Sequence, residues 1–347
     1  MSNEHMKAVV YRKVGGPEVL EMITLPKPTP ECGEVRIRIK ASALNFLDYA
    51  LRIEDDPDVP MPHILGSDIS GDIDMLGEGV KDWREGEPIL VSPTTSCGNC
   101  YRCRNGEDSL CDLRGILGYQ TQGGYAEYIV VPARNLVKKP SILSYEEAAS
   151  LPLVSATAYR MIYRQGRLRA GEKVLVMGGS SGIGSMAIQL CKAAGAWVVT
   201  TVGTEWKVDL AKELGADHVI LHKGIDWPKQ VLDLTNGYGV DLACDHLGGH
   251  FLASCIDLLA NGGRLVTIGS TVGSEIKIDN FKLYRKQASI IGSYMGSIVD
   301  LRDVLKLVEC NLVRPVVYKV FPLEEAVNAH RYMEERNYFG KIVLTVR

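Results

Sequence analysis

The stretch KVLVMGGSSGIGSMAIQLCKAAG (173–195) constrains this chain more than any other. It reads as a buried strand, a glycine-rich turn and a helix, with a second apolar strand, WVVTTVG, directly behind. A turn of this kind brings backbone N–H groups to a pyrophosphate at the positive end of a helix. Gly178, Gly182 and Gly184 suit that approach, because none carries a Cβ that would hold the phosphate off. Glycines alone would also fit a tight turn in another doubly wound fold. The flanking strand, helix and second strand make a dinucleotide site the expected outcome.

The alternation continues through WKVDLAKELGA and HVILH, which implies βαβ units and a parallel sheet over 173 to 292. Before residue 145 the texture differs. VRIRIKAS (35–42) alternates with period two, and Pro and Gly punctuate short apolar runs. SYEEAASLPLVSATAYRMIYRQG (144–166) then has helical spacing, with Ser144 as N-cap and Glu147 three residues on. The expected fold class is α/β: a β-rich domain plus a doubly wound parallel-sheet domain, as 347 residues favour two cores over one.

The second strand ends in TVGTEWK, where an NAD-preferring site usually carries Asp or Glu for the ribose hydroxyls. Gly203, Thr204 and Lys207 instead offer a small residue, a hydroxyl and a cation, which suit a 2′-phosphate. NADPH is therefore expected, with NADH possible because Glu205 is the dissenting residue; a solvated helix-face lysine is the plain alternative for Lys207. The candidate cofactor-binding residues are Gly178, Ser180, Gly182, Ile183, Gly184, Gly203, Thr204, Lys207 and Gly269.

Four of the nine cysteines, Cys97, Cys100, Cys103 and Cys111, follow C-x2-C-x2-C-x7-C. Four thiolates at short spacing close a tetrahedral shell with no open position, the pattern of one structural zinc. Thiolates also hold iron–sulfur clusters, so the spacing alone leaves that reading open. Clustered cysteines in a chain with no signal-like N-terminus point to metal ligands in a reducing cytoplasm. The net charge of −3 and the absence of a basic block argue against nucleic acid. No apolar run approaches the roughly 18 residues of a membrane span.

Taken in order, KAVVYRKVGGPEVLE, KASALNFLDYALR, HILGSDISGDI, the cysteine lobe, TQGGYAEYIVVP, the glycine turn and FGKIVL resemble the medium-chain dehydrogenase/reductase superfamily, of the alcohol dehydrogenase and quinone oxidoreductase kind. The resemblance covers essentially the whole chain. It implies a GroES-like catalytic domain (1–151 and 293–347, with a zinc lobe at about 95–113), a Rossmann domain (152–292) and an active site in the cleft between them. It also favours zinc over iron in the lobe. NFKLYRKQASIIGSYMG (280–296) resembles the family's edge region, which implies a homodimer or a homotetramer.

The departures from the family carry the functional reading. Its zinc alcohol dehydrogenases hold a second, catalytic zinc through a Cys where this chain has Asn45, a His where it has Ser67, and a Cys or acid near Leu153. Asp48, Asp68 and His63 are the nearby substitutes, with His63 read as structural. ALNFLD and TVGTEWK are similar to the zinc-free quinone oxidoreductase branch. The expected reaction is hydride transfer to a quinone or α,β-unsaturated carbonyl. Asn45 would donate to the carbonyl oxygen, and Asp48 would orient it or hold the ribose side of the nicotinamide. Tyr49 is a proton donor candidate, and Thr157 faces the nicotinamide. Plain structural alternatives are a turn-stabilising Asn45, a helix N-cap at Asp48 and an ordinary helical hydroxyl at Thr157. The competing functions are a zinc-dependent alcohol dehydrogenase with non-standard ligands, and a non-catalytic NADPH-binding structural or sensor protein.

Overall fold

The structure, a computed structural model, describes residues 4–223 and 226–346. The chain divides into two compact units, one of Met1–Leu153, Ser297–Arg302 and Pro315–Arg347, the other of Val154–Gly296 and Asp303–Arg314. The sequence placed residues 293–347 in the first unit, whereas 293–296 and 303–314 fall in the second. Residues 303–314 belong to the second because its side chains hold them. Gln189 brackets the Arg314 backbone, Nε2 donating to its carbonyl at 3.0 Å and Oε1 accepting its N–H at 2.9 Å. Asp303 accepts from Tyr159 and Arg164.

In the first unit, strand Glu34–Ala43 is the hub of a seven-stranded sheet. Val35, Ile37 and Ile39 are fully buried while their alternates stay partly exposed, as the period-two pattern requires. Its antiparallel neighbours are Asp68–Leu76, Tyr128–Pro132 and Lys341–Thr345. The ends of three of these strands position the site described below.

The second unit carries a six-stranded, wholly parallel sheet in the order His218–Leu221, Trp197–Val202, Lys173–Val176, Val240–Asp245, Leu259–Thr267, Ser289–Gly292. Numbered within the unit this is 3-2-1-4-5-6, which reverses direction at the first strand and leaves a crevice at its carboxyl end. Val199, Leu175, Ala243 and Leu265 lie in register across four of these strands, all fully buried.

The helical run at 144–166 is not one helix. Ser144 caps Tyr145–Ala149, its Oγ accepting the Glu147 N–H at 3.1 Å while Glu147 accepts the Ser144 N–H at 2.8 Å. Pro152 has no N–H to continue that helix, so it opens a second, Pro152–Tyr159, which passes into a π-helical turn at Arg160–Gln165.

Candidate active site and nucleotide turn

Strands Lys341–Thr345, Glu34–Ala43 and Asp68–Leu76 are sheet neighbours in that order, with Val343 opposite Ala43 and Ala43 opposite Asp68. That register gathers Lys341, Asn45 and Asp68 at one end of the sheet. The Lys341 ammonium donates to Asn45 Oδ1 at 2.6 Å and to Asp68 Oδ2 at 2.9 Å. Asn45 Nδ2 donates to the same Asp68 oxygen at 2.9 Å, and the Leu153 N–H donates to Asp68 Oδ1 at 2.6 Å. Asp68 is fully buried, and Lys341 and Asn45 are 5% and 7% exposed. One N–H of the Asn45 amide is thus spent on Asp68, and its second has no protein partner described. Sequence reasoning missed Lys341, which stands 296 residues from Asn45 inside the quoted FGKIVL.

Asp48 sits at the other side of Asn45. Its carboxylate accepts the N–H of Asn45 at 2.7 Å and of Gly66 at 3.0 Å, which clamps the two backbone segments carrying Asn45 and Asp68 together. Asp48 is therefore not the helix N-cap. Asn45 occupies that position ahead of helix Phe46–Ile53, and Asp48 is the third helical residue reaching back. Tyr49 is half-buried beside the Phe46 ring, beneath the Arg52 guanidinium. His63 lies elsewhere: buried, its Nε2 3.0 Å from the Gly118 carbonyl and its ring edge-on to Tyr11. Ser67 Oγ is buried with no partner, and Leu153 offers only a hydrocarbon side chain. Thr157 belongs to the second unit, buried in helix Pro152–Tyr159.

In that second unit, the glycine turn leads into helix Gly182–Ala193, capped by Ser181, whose Oγ accepts the Gly184 N–H at 2.9 Å. The same hydroxyl meets His246 Nε2 at 3.0 Å, a neighbour brought by the fourth strand of the sheet. Ser180, Gly182 and Ile183 lie at this helix start, and Gly269 follows strand Leu259–Thr267. A Cβ on Gly184 would stand 2.2 Å from the Gly178 carbonyl oxygen, so the turn packs directly on the helix. Gly184→Ala must push the two apart. Overpacking of this kind costs ~1–3 kcal/mol, so a dinucleotide held at this turn should bind roughly tenfold to hundredfold more weakly by fluorescence titration. Unchanged affinity would mean that this turn does not hold the cofactor.

Gly203 and Thr204 end the second strand as read, and Glu205 is exposed. Lys207 is not a solvated helix-face residue. It is 7% exposed, lies 5.2 Å from the Trp206 ring centroid, and burial together with Lys223 lowers its pKa. A Cβ on Gly203 would face the His222 ring and Lys223 at 3.6–3.8 Å, so the strand end faces a second lysine that sequence reasoning did not name, while burial and the lysines hold His222 below its ordinary pKa.

The four lobe cysteines form a single cluster, all sulfur atoms within 4.8 Å of one another and neighbouring pairs at 3.6 to 3.8 Å. A tetrahedron with Zn–S bonds of about 2.3 Å has edges of about 3.8 Å. Backbone N–H groups of Asn99 and Cys100 pull the Cys97 thiol down to about 6, while burial pushes Cys103 up to about 11. Among the described residues no other group of three or more His, Cys, Asp or Glu side chains can hold a metal.

Comparison with known proteins agrees with this anatomy. A family model described as an alcohol dehydrogenase GroES-like domain matches residues 31–141, and one described as a zinc-binding dehydrogenase matches 182–309. The chain is 34% identical to an NAD-dependent alcohol dehydrogenase of Sulfurisphaera tokodaii, covering 98% of this chain and 99% of that one. It is 32% identical to an acryloyl-coenzyme A reductase of the same organism, over 98% and 99% of the two chains. A solved NAD-dependent alcohol dehydrogenase superposes with a TM-score of 0.95 at 45% identity, covering 99% of this chain and all of the other. The chain belongs to the medium-chain dehydrogenase/reductase superfamily and is an oxidoreductase of its alcohol dehydrogenase-like, GroES-plus-Rossmann kind.

Proposed function

We propose that this protein reduces α,β-unsaturated carbonyl compounds, quinones or unsaturated acyl thioesters among them, with NADPH, one structural zinc and no catalytic metal. The observation that carries this reading is the Lys341–Asn45–Asp68 cluster. Where relatives of the family use Cys, His and a third ligand, this chain has an amide bonded at both ends, a neutral hydroxyl and a leucine. That donor set does not fit a zinc ion, which needs about three good ligands and one open position.

NADPH, when bound, supplies the hydride to the β-carbon of the substrate. Gly178 to Gly184 and helix Gly182–Ala193 would receive its pyrophosphate, and Lys207 its 2′-phosphate. As the hydride adds, negative charge develops on the carbonyl oxygen, and uptake of one proton from solvent completes the reduction. The second N–H of Asn45 donates to that oxygen, and the Lys341 ammonium behind the amide polarises it. Asp48 keeps Asn45 in place by holding its backbone. Cys97, Cys100, Cys103 and Cys111 would hold the structural zinc, which completes the lobe and takes no part in the reaction.

The relatives' names support the substrate class from one side and a rival from the other. The acryloyl-coenzyme A reductase acts on a conjugated thioester. The alcohol dehydrogenases favour NADH-linked alcohol interconversion. One preparation, purified without chelator, separates these. The expected result is about one zinc per chain and NADPH oxidation by an enone, quinone or enoyl thioester that survives chelator treatment. About two zinc ions per chain, with chelator-sensitive alcohol oxidation, would overturn the proposal.

A further inference from the structure

A buried hydrogen-bonded line runs through the first unit behind Asp48. The Arg52 guanidinium, fully buried, donates from Nε to His330 Nδ1 at 3.3 Å and from Nη1 to the Gly15 carbonyl at 2.5 Å, and its Nη2 pairs with Glu334. His330 Nε2 lies 3.3 Å from the Tyr125 hydroxyl, and burial, with the Asp48 carboxylate next, pushes that hydroxyl's pKa well up. Tyr125, His330 and Asp48 are all fully buried. The polarity of the line follows from its first donor. Arginine can only donate, so His330 Nδ1 accepts and the imidazole proton sits on Nε2. Nε2–H then donates to the tyrosine oxygen, which leaves the tyrosine O–H to donate elsewhere, and Asp48 is the carboxylate whose charge acts on it.

We infer that Tyr125 and His330 are positioning residues that hold Asp48 ionised and in place, and through it Asn45, so that the proposed reduction depends on a residue pair that touches neither substrate nor cofactor. The packing supports this. The Tyr125 ring lies against Gly66, where a Cβ would stand 2.6 Å from its Cδ1, and the Gly66 N–H is one of the two backbone donors to Asp48. A shift of the ring therefore moves the second backbone segment that Asp48 clamps. His330 comes from helix Ala326–Glu334, 205 residues from Tyr125, so the line ties that helix to the site.

The charged and titratable groups around Asp48 are Lys341, Asp68, Tyr11 and Tyr125. Burial pushes the Asp48 carboxyl up to about 6 against the pull of the Asn45 and Gly66 N–H groups and Lys341. Burial and the Arg52 charge push His330 down to about 3, so it stays neutral through the working range. Protonation of Asp48 removes one of its acceptor sites and loosens the clamp. Its folded pKa lies above its ordinary value of 3.8, so this residue opposes folding less as pH falls through about 6. Activity should then fall at acidic pH while the fold persists.

This inference rests on the reduction proposed above, and the test reads both separately. The pH profile of kcat for enone reduction and an infrared titration of the Asp48 carboxyl, assigned with Asp48→Asn, are measured on wild type, Tyr125→Phe, His330→Leu and His330→Gln. Glutamine can accept from Arg52 and donate to Tyr125 as the imidazole does. The expected result is an acidic limb in wild type and His330→Gln. It should move upward by about one pH unit or more in Tyr125→Phe and His330→Leu, with KM for NADPH unchanged. The infrared midpoint should move with it. If no conjugated carbonyl is reduced but the infrared midpoints shift as stated, the function proposed is wrong and the positioning role stands. Identical midpoints in wild type and Tyr125→Phe would overturn the positioning role whatever the activity.

Discussion

Lys341→Met should destabilise the protein by about 3–5 kcal/mol and cut kcat sharply, the scale expected when one partner of a buried ion pair is removed. The reason lies in what is left behind. Asp68 is fully buried and keeps its bonds from Leu153 N–H and Asn45 Nδ2 but loses its only ion-pair partner among the described residues. Asn45 Oδ1 loses its donor at the same time, so the amide is no longer held in one orientation. Urea unfolding measures the stability term; a lower midpoint at constant slope is expected. The double variant Lys341→Met with Asp68→Leu separates the two effects. Removing both charges should return most of the stability, because a buried ion pair is worth little more than an apolar replacement of similar volume. It should not return the activity, because Asn45 then has neither partner. Wild-type stability in the single variant would show that Asp68 finds another counter-charge. Full activity in the double variant would remove Asn45 orientation from the mechanism.

The same cluster shows where sequence reading reaches its limit. The glycine turn and the parallel sheet were legible because their signals are local: a strand, a turn and a helix contiguous over 173–193. The Ser144 capping box was legible for the same reason, and the helix break at Pro152 followed from a missing N–H that the helical spacing concealed. The partners of Asn45 lie 23 and 296 residues away, and only the sheet register brings them to it. The plain alternative for Asp48, a helix N-cap, fails because the structure gives that position to Asn45, three residues earlier. Lys207 reads as a cation for a 2′-phosphate, with a solvated helix-face lysine as the plain alternative, and its burial beside the Trp206 ring is against that alternative. Arg52, Tyr125 and His330 gave no signal at all, since each sits in an ordinary apolar or amphipathic pattern and their line is assembled only in the folded unit.

Removal of a single lobe sulfur should have an effect of comparable size but a different character. Cys111→Ser takes away the one buried thiol of the four, whose sulfur lies 3.6 Å from Cys97. Zinc bound by four thiolates contributes apparent free energies of ~10–16 kcal/mol in small domains, which exceeds anything the short lobe elements can supply themselves. Those elements are a four-residue helix, Tyr101–Arg104, and a three-residue turn, Asp108–Leu110. The variant is therefore expected to lose its zinc and to become open to proteolysis between 97 and 111. The damage should spread to one neighbour. Ser109 meets Ser297 at 3.1 Å and Asp108 accepts the Ile298 N–H at 3.2 Å, so the start of helix Ile298–Glu309 loses its anchor when the lobe opens. The parallel sheet is expected to stay folded, since none of its strands takes a residue from the lobe. Elemental analysis and limited proteolysis read the outcome, and the absorption spectrum adds a third arm. A colourless wild type with zinc that Cys111→Ser lacks is the expected pattern. A coloured, iron-containing wild type would replace the zinc by a cluster on the same thiolates. A Cys111→Ser protein that keeps its zinc and its resistance to proteolysis would mean that three sulfurs suffice and the lobe is held by packing.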